Sequence, residues 1–101
     1  SLGMSVEPKY KLVSSARYKR DYRKLARSGR YDLKKLNTVI SLLQNDKPLP
    51  KSLKNHRLKG AMKSCEECHI EGEWLLIYQK KDDEFSLVAL RTGTHSELFG
   101  K

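Results

Sequence analysis

Long apolar runs are missing from this chain of 101 residues: none approaches the roughly 20 residues that a membrane-spanning helix needs. No membrane partner is therefore expected, and with no hydrophobic leader ahead of Lys9 the expected location is the cytoplasm. Internal repeats, low-complexity tracts and interdomain linkers are also missing, so a single domain over residues 1–101 with one core is expected. Ser1-Leu2-Gly3, ahead of Met4, reads as a cloning scar and is left out of the fold. Cysteine is scarce. Cys65 and Cys68 are the only two, without a second Cys-x-x-Cys pair to complete a four-ligand zinc site. Acidic side chains are the minority, 12 against 21 Lys and Arg, for a formal net charge of +9.

The distribution of charge says more than its total. Residues 9–35 carry eleven basic and two acidic side chains, and residues 47–63 carry six basic and none acidic. Residues 66–73 reverse this with Glu66, Glu67, Glu71 and Glu73. An acidic island in a basic surface points to a polyanionic partner, because each neutralised phosphate releases counterions. Nucleic acid, an anionic membrane or an acidic protein segment would all answer to charge alone.

The pattern predicts a strand over Lys9–Val13, then a helix capped by Ser14-Ser15 that buries Tyr18, Tyr22, Leu25 and Ala26 and stops at Gly29. Asp32 caps a second helix with the stripe Leu33, Leu36, Ile40 and Leu43, ended by Asn45 and Pro48. Residues 46–60 read as a basic loop. Strands are predicted over Met62–Ile70, Trp74–Gln79 and Phe85–Thr92, with a turn at Glu71-Gly72 and a hairpin loop over Lys80–Asp83. The apolar runs at Trp74–Tyr78 and Leu87–Leu90 suit central strands covered on both faces. Thr94-His95-Ser96-Glu97 matches the capping box T-x-x-E, which predicts a last helical turn. The expected class is α+β: helices on a small, mostly antiparallel sheet in the order β-α-α-β-β-β.

Cys65-Glu66-Glu67-Cys68-His69 satisfies C-x-x-C-H, the pattern of haem attachment. On a strand, however, Cys65, Glu67 and His69 share one face while Cys68 and Ile70 share the other. The two cysteines then diverge by roughly 10 Å, too far for a disulfide and wrongly directed for a shared metal. They read as small packing residues, and neither a metal nor a cofactor is expected. What remains on that face is Glu67 and His69, with Glu73 after the turn. His56 lies in the basic loop and His95 just past Arg91. Imidazole both takes and gives protons near neutrality, so three histidines on a basic chain suggest acid–base chemistry on a phosphodiester.

Four blocks carry a family resemblance: His56-Arg57-Leu58-Lys59-Gly60, Cys68-His69-Ile70-Glu71, Glu73-Trp74-Leu75-Leu76-Ile77-Tyr78, and Arg91 through Phe99. In order and spacing they resemble the YafQ branch of the RelE-type toxins, from Tyr10 to Phe99. The resemblance implies a RelE-like α+β fold and a toxin of a type II toxin–antitoxin pair. It further implies an endoribonuclease that enters the ribosomal A site, cuts translating mRNA and is silenced by a cognate antitoxin. Carried over position by position, it implies a catalytic set of His56, Glu67, His69, Glu73, Arg91 and His95, with Phe99 and Arg91 on the substrate. Two residues depart from the family pattern: Glu73 stands where Asp is usual, and Glu66 where a basic residue is common.

RNA brings its own nucleophile, so one group must remove the 2′-hydroxyl proton while another protonates the departing 5′-oxygen. The expected base is His56, with His69 as the alternative, and the expected acid is His95. Glu67, His69 and Glu73 would orient these groups. Arg91 and the backbone N–H groups after Thr94 would stabilise charge on the phosphorane-like transition state. The rival reading keeps the fold without catalysis, as a ParE-like toxin or an RNA-binding module.

Overall fold

The computed structural model describes residues 7–100, so the expectation for Ser1-Leu2-Gly3 lies outside the described residues. Strand β1 (Lys11–Ser14) leads into helix α1 (Ala16–Ser28) and helix α2 (Leu33–Gln44). The caps follow the sequence signals. Ser15 accepts from the Tyr18 N–H, Gly29 adopts the left-handed conformation at φ 70, and Asp32 accepts from the Lys34 N–H. Three further strands, β3 (Glu66–Glu71), β4 (Trp74–Lys81) and β5 (Ser86–Thr94), precede helix α3 (His95–Phe99).

Between α2 and β3 the structure departs from the predicted loop. It contains a 3₁₀ turn, Lys51–Leu53, and a two-residue strand, β2 (His56–Arg57), antiparallel to β3. A two-residue strand has no period for a sequence to display. The predicted strand at Met62 begins instead at Glu66. Gly60 at φ 69 opens a 3₁₀ turn over Gly60–Met62, closed by the bonds Lys63 N–H to Gly60 O and Cys65 N–H to Met62 O. The β4–β5 loop is displaced likewise, to a 3₁₀ turn at Asp82–Glu84 with Phe85 left-handed at φ 49.

The five strands order as β1-β5-β4-β3-β2, with β1 parallel to β5 and the other three pairings antiparallel. Helices α1 and α2 cover one face. Tyr18, Leu25, Leu36, Val39, Ile40 and Leu43 meet Cys68, Ile70, Leu76, Tyr78, Leu87 and Ala89 there. Each fully buried leucine contributes about 1.5–3 kcal/mol. Ala26 is exposed rather than buried, because the buried positions Tyr18 and Leu25 set the inner face of α1 two turns apart and Ala26 falls beyond it. As β4 demands, Trp74–Tyr78 is buried throughout, yet Leu75 and Ile77 lie outside the helix-side core. They form the floor of the opposite face.

Candidate active site

Antiparallel registers align the predicted residues across that opposite face. His56 pairs with Glu67, Glu67 with Ile77, and Ile77 with Arg91, which makes one row across β2, β3, β4 and β5. The next row is His69, Leu75 and Gly93. At about 4.8 Å per strand, His56 and Arg91 stand roughly 14 Å apart at Cα, and His69 and Gly93 roughly 10 Å.

Within this face, His56 Nε2 lies 3.3 Å from Oε1 of Glu67, a carboxylate buried to 8% side-chain exposure. The other ring nitrogen, Nδ1, is 2.8 Å from the Lys54 carbonyl oxygen. A carbonyl only accepts, so Nδ1 carries the proton there and Nε2 is the nitrogen left for proton exchange. His69 is set in the same way: its Nδ1 donates to Gly72 O across 3.3 Å, which turns Nε2 outward. His95 is exposed on the first turn of α3, with its ring centroid 4.8 Å from that of Phe99.

Helix α3 is held over the face by its capping box. Thr94 accepts from the Glu97 N–H, and Glu97 accepts from the Thr94 N–H at 2.8 Å. That backbone donor, followed by Lys24 of α1 at 3.0 Å, keeps the Glu97 carboxyl below its ordinary range. Gly93 permits the approach: a Cβ there would stand 2.9 Å from Glu97 Oε1 and 3.5 Å from Leu98 Cδ2.

Sequence reasoning missed Asp21. This α1 carboxylate accepts from Arg91 Nε at 2.8 Å, from Arg91 Nη2 at 3.2 Å and from the Thr92 N–H at 3.1 Å. It raises the Arg91 guanidinium further above its ordinary value and fixes its direction, leaving Nη1 for another acceptor. Seventy residues separate the partners, and no local signal links them. Glu73 is not drawn into this set. It is exposed in the β3–β4 turn and makes no hydrogen bond or ion pair among the described residues. Glu66, the other departure, faces the helix side, opposite Tyr78, because it neighbours Glu67 on a strand.

The two cysteines are free thiols. Cys68 is fully buried in the helix-side core, where burial and then the Glu67 and Glu66 carboxylates push its thiol up to about 12. Cys65, just before β3, is buried outside that core. Replacing both by Ser is expected to leave cleavage within about tenfold and to lower stability by about 1–3 kcal/mol, the cost of a buried hydroxyl without a full set of partners. His69→Ala should lose far more activity at similar stability. A thermal melt and a cleavage rate for each variant check this.

The fold and face define a small α+β domain that presents imidazoles and a carboxylate on the sheet face away from its helix-packed core, with a guanidinium on β5 that Asp21 of α1 orients. Comparison with known proteins gives the lineage. Residues 10–100 match the family described as the bacterial toxin of the type II toxin–antitoxin system, YafQ. The mRNA interferase toxin YafQ of Escherichia coli K12 is 40% identical over 87 residues, 85% of this chain and 91% of that protein. A metal-bound toxin from Helicobacter pylori superposes with a TM-score of 0.84 at 39% identity, covering 89% of this chain and 99% of that one. YafQ in its E. coli complex with DinJ superposes at 0.80 with 39% identity, covering 91% and 99%. The chain belongs to the YafQ family of type II toxins. Among the described residues, no group of three or more His, Cys, Asp or Glu side chains stands together as a metal site.

Proposed function

We propose that this chain is a ribosome-dependent mRNA endoribonuclease that uses histidine acid–base chemistry. The observation that carries the reading is the His56–Glu67 pair on the same sheet row as Arg91, with His95 and Phe99 at the neighbouring end of that face. The mRNA interferase names of its relatives support catalysis over a purely binding role.

In this mechanism His56 Nε2 removes the 2′-hydroxyl proton, and Glu67 beside it stabilises the imidazolium that forms. The 2′-oxygen attacks phosphorus, the bond to the 5′-oxygen breaks, and His95 protonates that oxygen. Arg91, aimed by Asp21, neutralises the charge that builds on the equatorial phosphate oxygens. Phe99 stacks on a base. A second reading exchanges His56 for His69 as the base; it is favoured by the shorter span from His69 to β5, two strands rather than three.

The ribosome supplies a polyanionic docking surface for α1, whose Arg17, Lys19, Arg20, Arg23, Lys24 and Arg27 are all exposed. The same helix borders a groove of about 350 Å³ lined by Leu12, Tyr18, Tyr22 and Ile40 between Lys19 and Arg23. An acidic, partly apolar antitoxin segment that folds on binding fits this groove and keeps the toxin off the ribosome.

Primer extension on translating mRNA tests the proposal. Cleavage is expected only with ribosomes, in EDTA at a level that leaves them intact, with a 2′,3′-cyclic or 3′-phosphate end, and is expected to stop when the antitoxin is added. A 3′-hydroxyl product rules out attack by the 2′-oxygen. Equal cleavage of naked mRNA rules out the ribosome as the obligate platform.

A further inference from the structure

His56 sits on the weakest element of the sheet. Strand β2 is two residues long, lies at the sheet edge and pairs with β3 alone. Short edge strands open readily, and a slip of one residue would turn His56 to the helix side and Arg57 to the site. Something outside the ladder must hold the register.

We propose that Tyr78, Asn55 and Glu66 are positioning residues for cleavage, a hydrogen-bonded triad that fixes His56 on the site face with Nε2 against Glu67. Tyr78 is buried at 2% exposure on the central strand β4, and its hydroxyl donates to Asn55 Oδ1 at 2.7 Å. Asn55 Nδ2 donates to Glu66 Oε1 at 2.9 Å, and the Tyr78 hydroxyl lies 3.4 Å from the same oxygen. Both ends of the Asn55 amide are therefore used, one as acceptor and one as donor, and only one orientation serves both.

Strand alternation sets this triad back to back with the site. Asn55 precedes His56, Glu66 precedes Glu67, and Tyr78 follows Ile77. Each member is thus one residue from a member of the row His56, Glu67 and Ile77, on the other side of the sheet. Burial, and then the Glu66 carboxylate, raise the Tyr78 phenol above its ordinary value and keep it a donor. If β2 slipped, that buried hydroxyl would lose the Asn55 acceptor, a cost that opposes the slip. Lys54 completes the setting: at φ 49 and ψ 43 its carbonyl points at His56 Nδ1. Glu66, acidic where the family commonly has a base, acts here from behind the site rather than on the RNA.

The inference rests on the reading that His56 belongs to the active site, and the test separates the two. Single-turnover cleavage on programmed ribosomes is compared for Tyr78→Phe, Asn55→Ala, Glu66→Gln, His56→Ala and the double variant Tyr78→Phe/His56→Ala. Tyr78→Phe and Asn55→Ala are expected to slow cleavage about tenfold or more, as a small misplacement of a catalytic group does, at an unchanged half-saturating ribosome concentration. Glu66→Gln keeps an acceptor for Asn55 and retains most of the rate. In the His56→Ala background Tyr78→Phe adds no further loss. Independently of activity, the ring resonances of His56 in the free protein shift in Tyr78→Phe while those of His95 do not. An equal further loss in the double variant, or unmoved His56 resonances, overturns the triad. If His56→Ala cleaves at the parent rate, the base assignment falls instead, and the His56 resonances alone decide whether the triad positions the ring.

Discussion

His95→Ala is expected to slow single-turnover cleavage by about 10²–10⁴-fold, the usual worth of a positioned general acid, while ribosome binding persists. The substitution leaves the helix that carries it intact. Thr94 and Glu97, which make both bonds of the capping box, are untouched, and Ala is the better helix former. His95 is exposed, so no core contact is lost, only the ring contact with Phe99. Phe99→Ala removes that contact and the stacking surface but no proton donor, and should cost less. The measurement is the rate at saturating ribosomes for both variants, with pelleting to score binding. A His95→Ala rate within threefold of the parent would remove His95 from the mechanism.

Gly93→Ala should cost less than His95→Ala but still much of the rate, without touching any group that exchanges a proton. Its φ of 153° lies where side chains are disfavoured, and the new Cβ would stand 2.9 Å from Glu97 Oε1, the oxygen that accepts from the Thr94 N–H. Glu97 must move, which opens the capping box and loosens its bond to Lys24, while Leu98 Cδ2 at 3.5 Å stays in ordinary contact. Helix α3 then lifts, carrying His95 and Phe99 away from the face. A shift of about 1 Å at a catalytic group is worth up to about 100-fold, so a loss of about tenfold to 100-fold is expected with cooperative unfolding retained. Unchanged cleavage in Gly93→Ala would mean that α3 need not sit where it does. Glu97→Ala should share part of the defect through the same cap.

The elements that could be read early are those whose signals are local. Ser15, Gly29 and Asp32 cap as expected because capping bonds span two to four residues, and Thr94 with Glu97 forms its box for the same reason. Strand β4 was legible because burial on both faces demands an unbroken apolar run. The alternation that separates Glu67 and His69 from Cys68 and Ile70 was legible too, since a strand has period two. Strand β2 was not. Two residues carry no period, and His56 is extended only because Glu67 lies opposite it in space.

Taken alone, the sequence determined the helices, the central strand, the basic excess and the alternation that puts Glu67 and His69 on one face, because each depends on neighbours a few residues away. Only the tertiary structure decided that Asp21 holds Arg91 across seventy residues, that Tyr78 and Glu66 tether Asn55 beside His56, and that Glu73 stands apart. It also decided the direction of Glu66, toward Asn55 and the Tyr78 hydroxyl. The reason is common to all of these: a hydrogen bond acts over about 3 Å of space whatever the distance along the chain. Packing of the helices and registry of the strands bring such partners together, and no local pattern encodes that meeting.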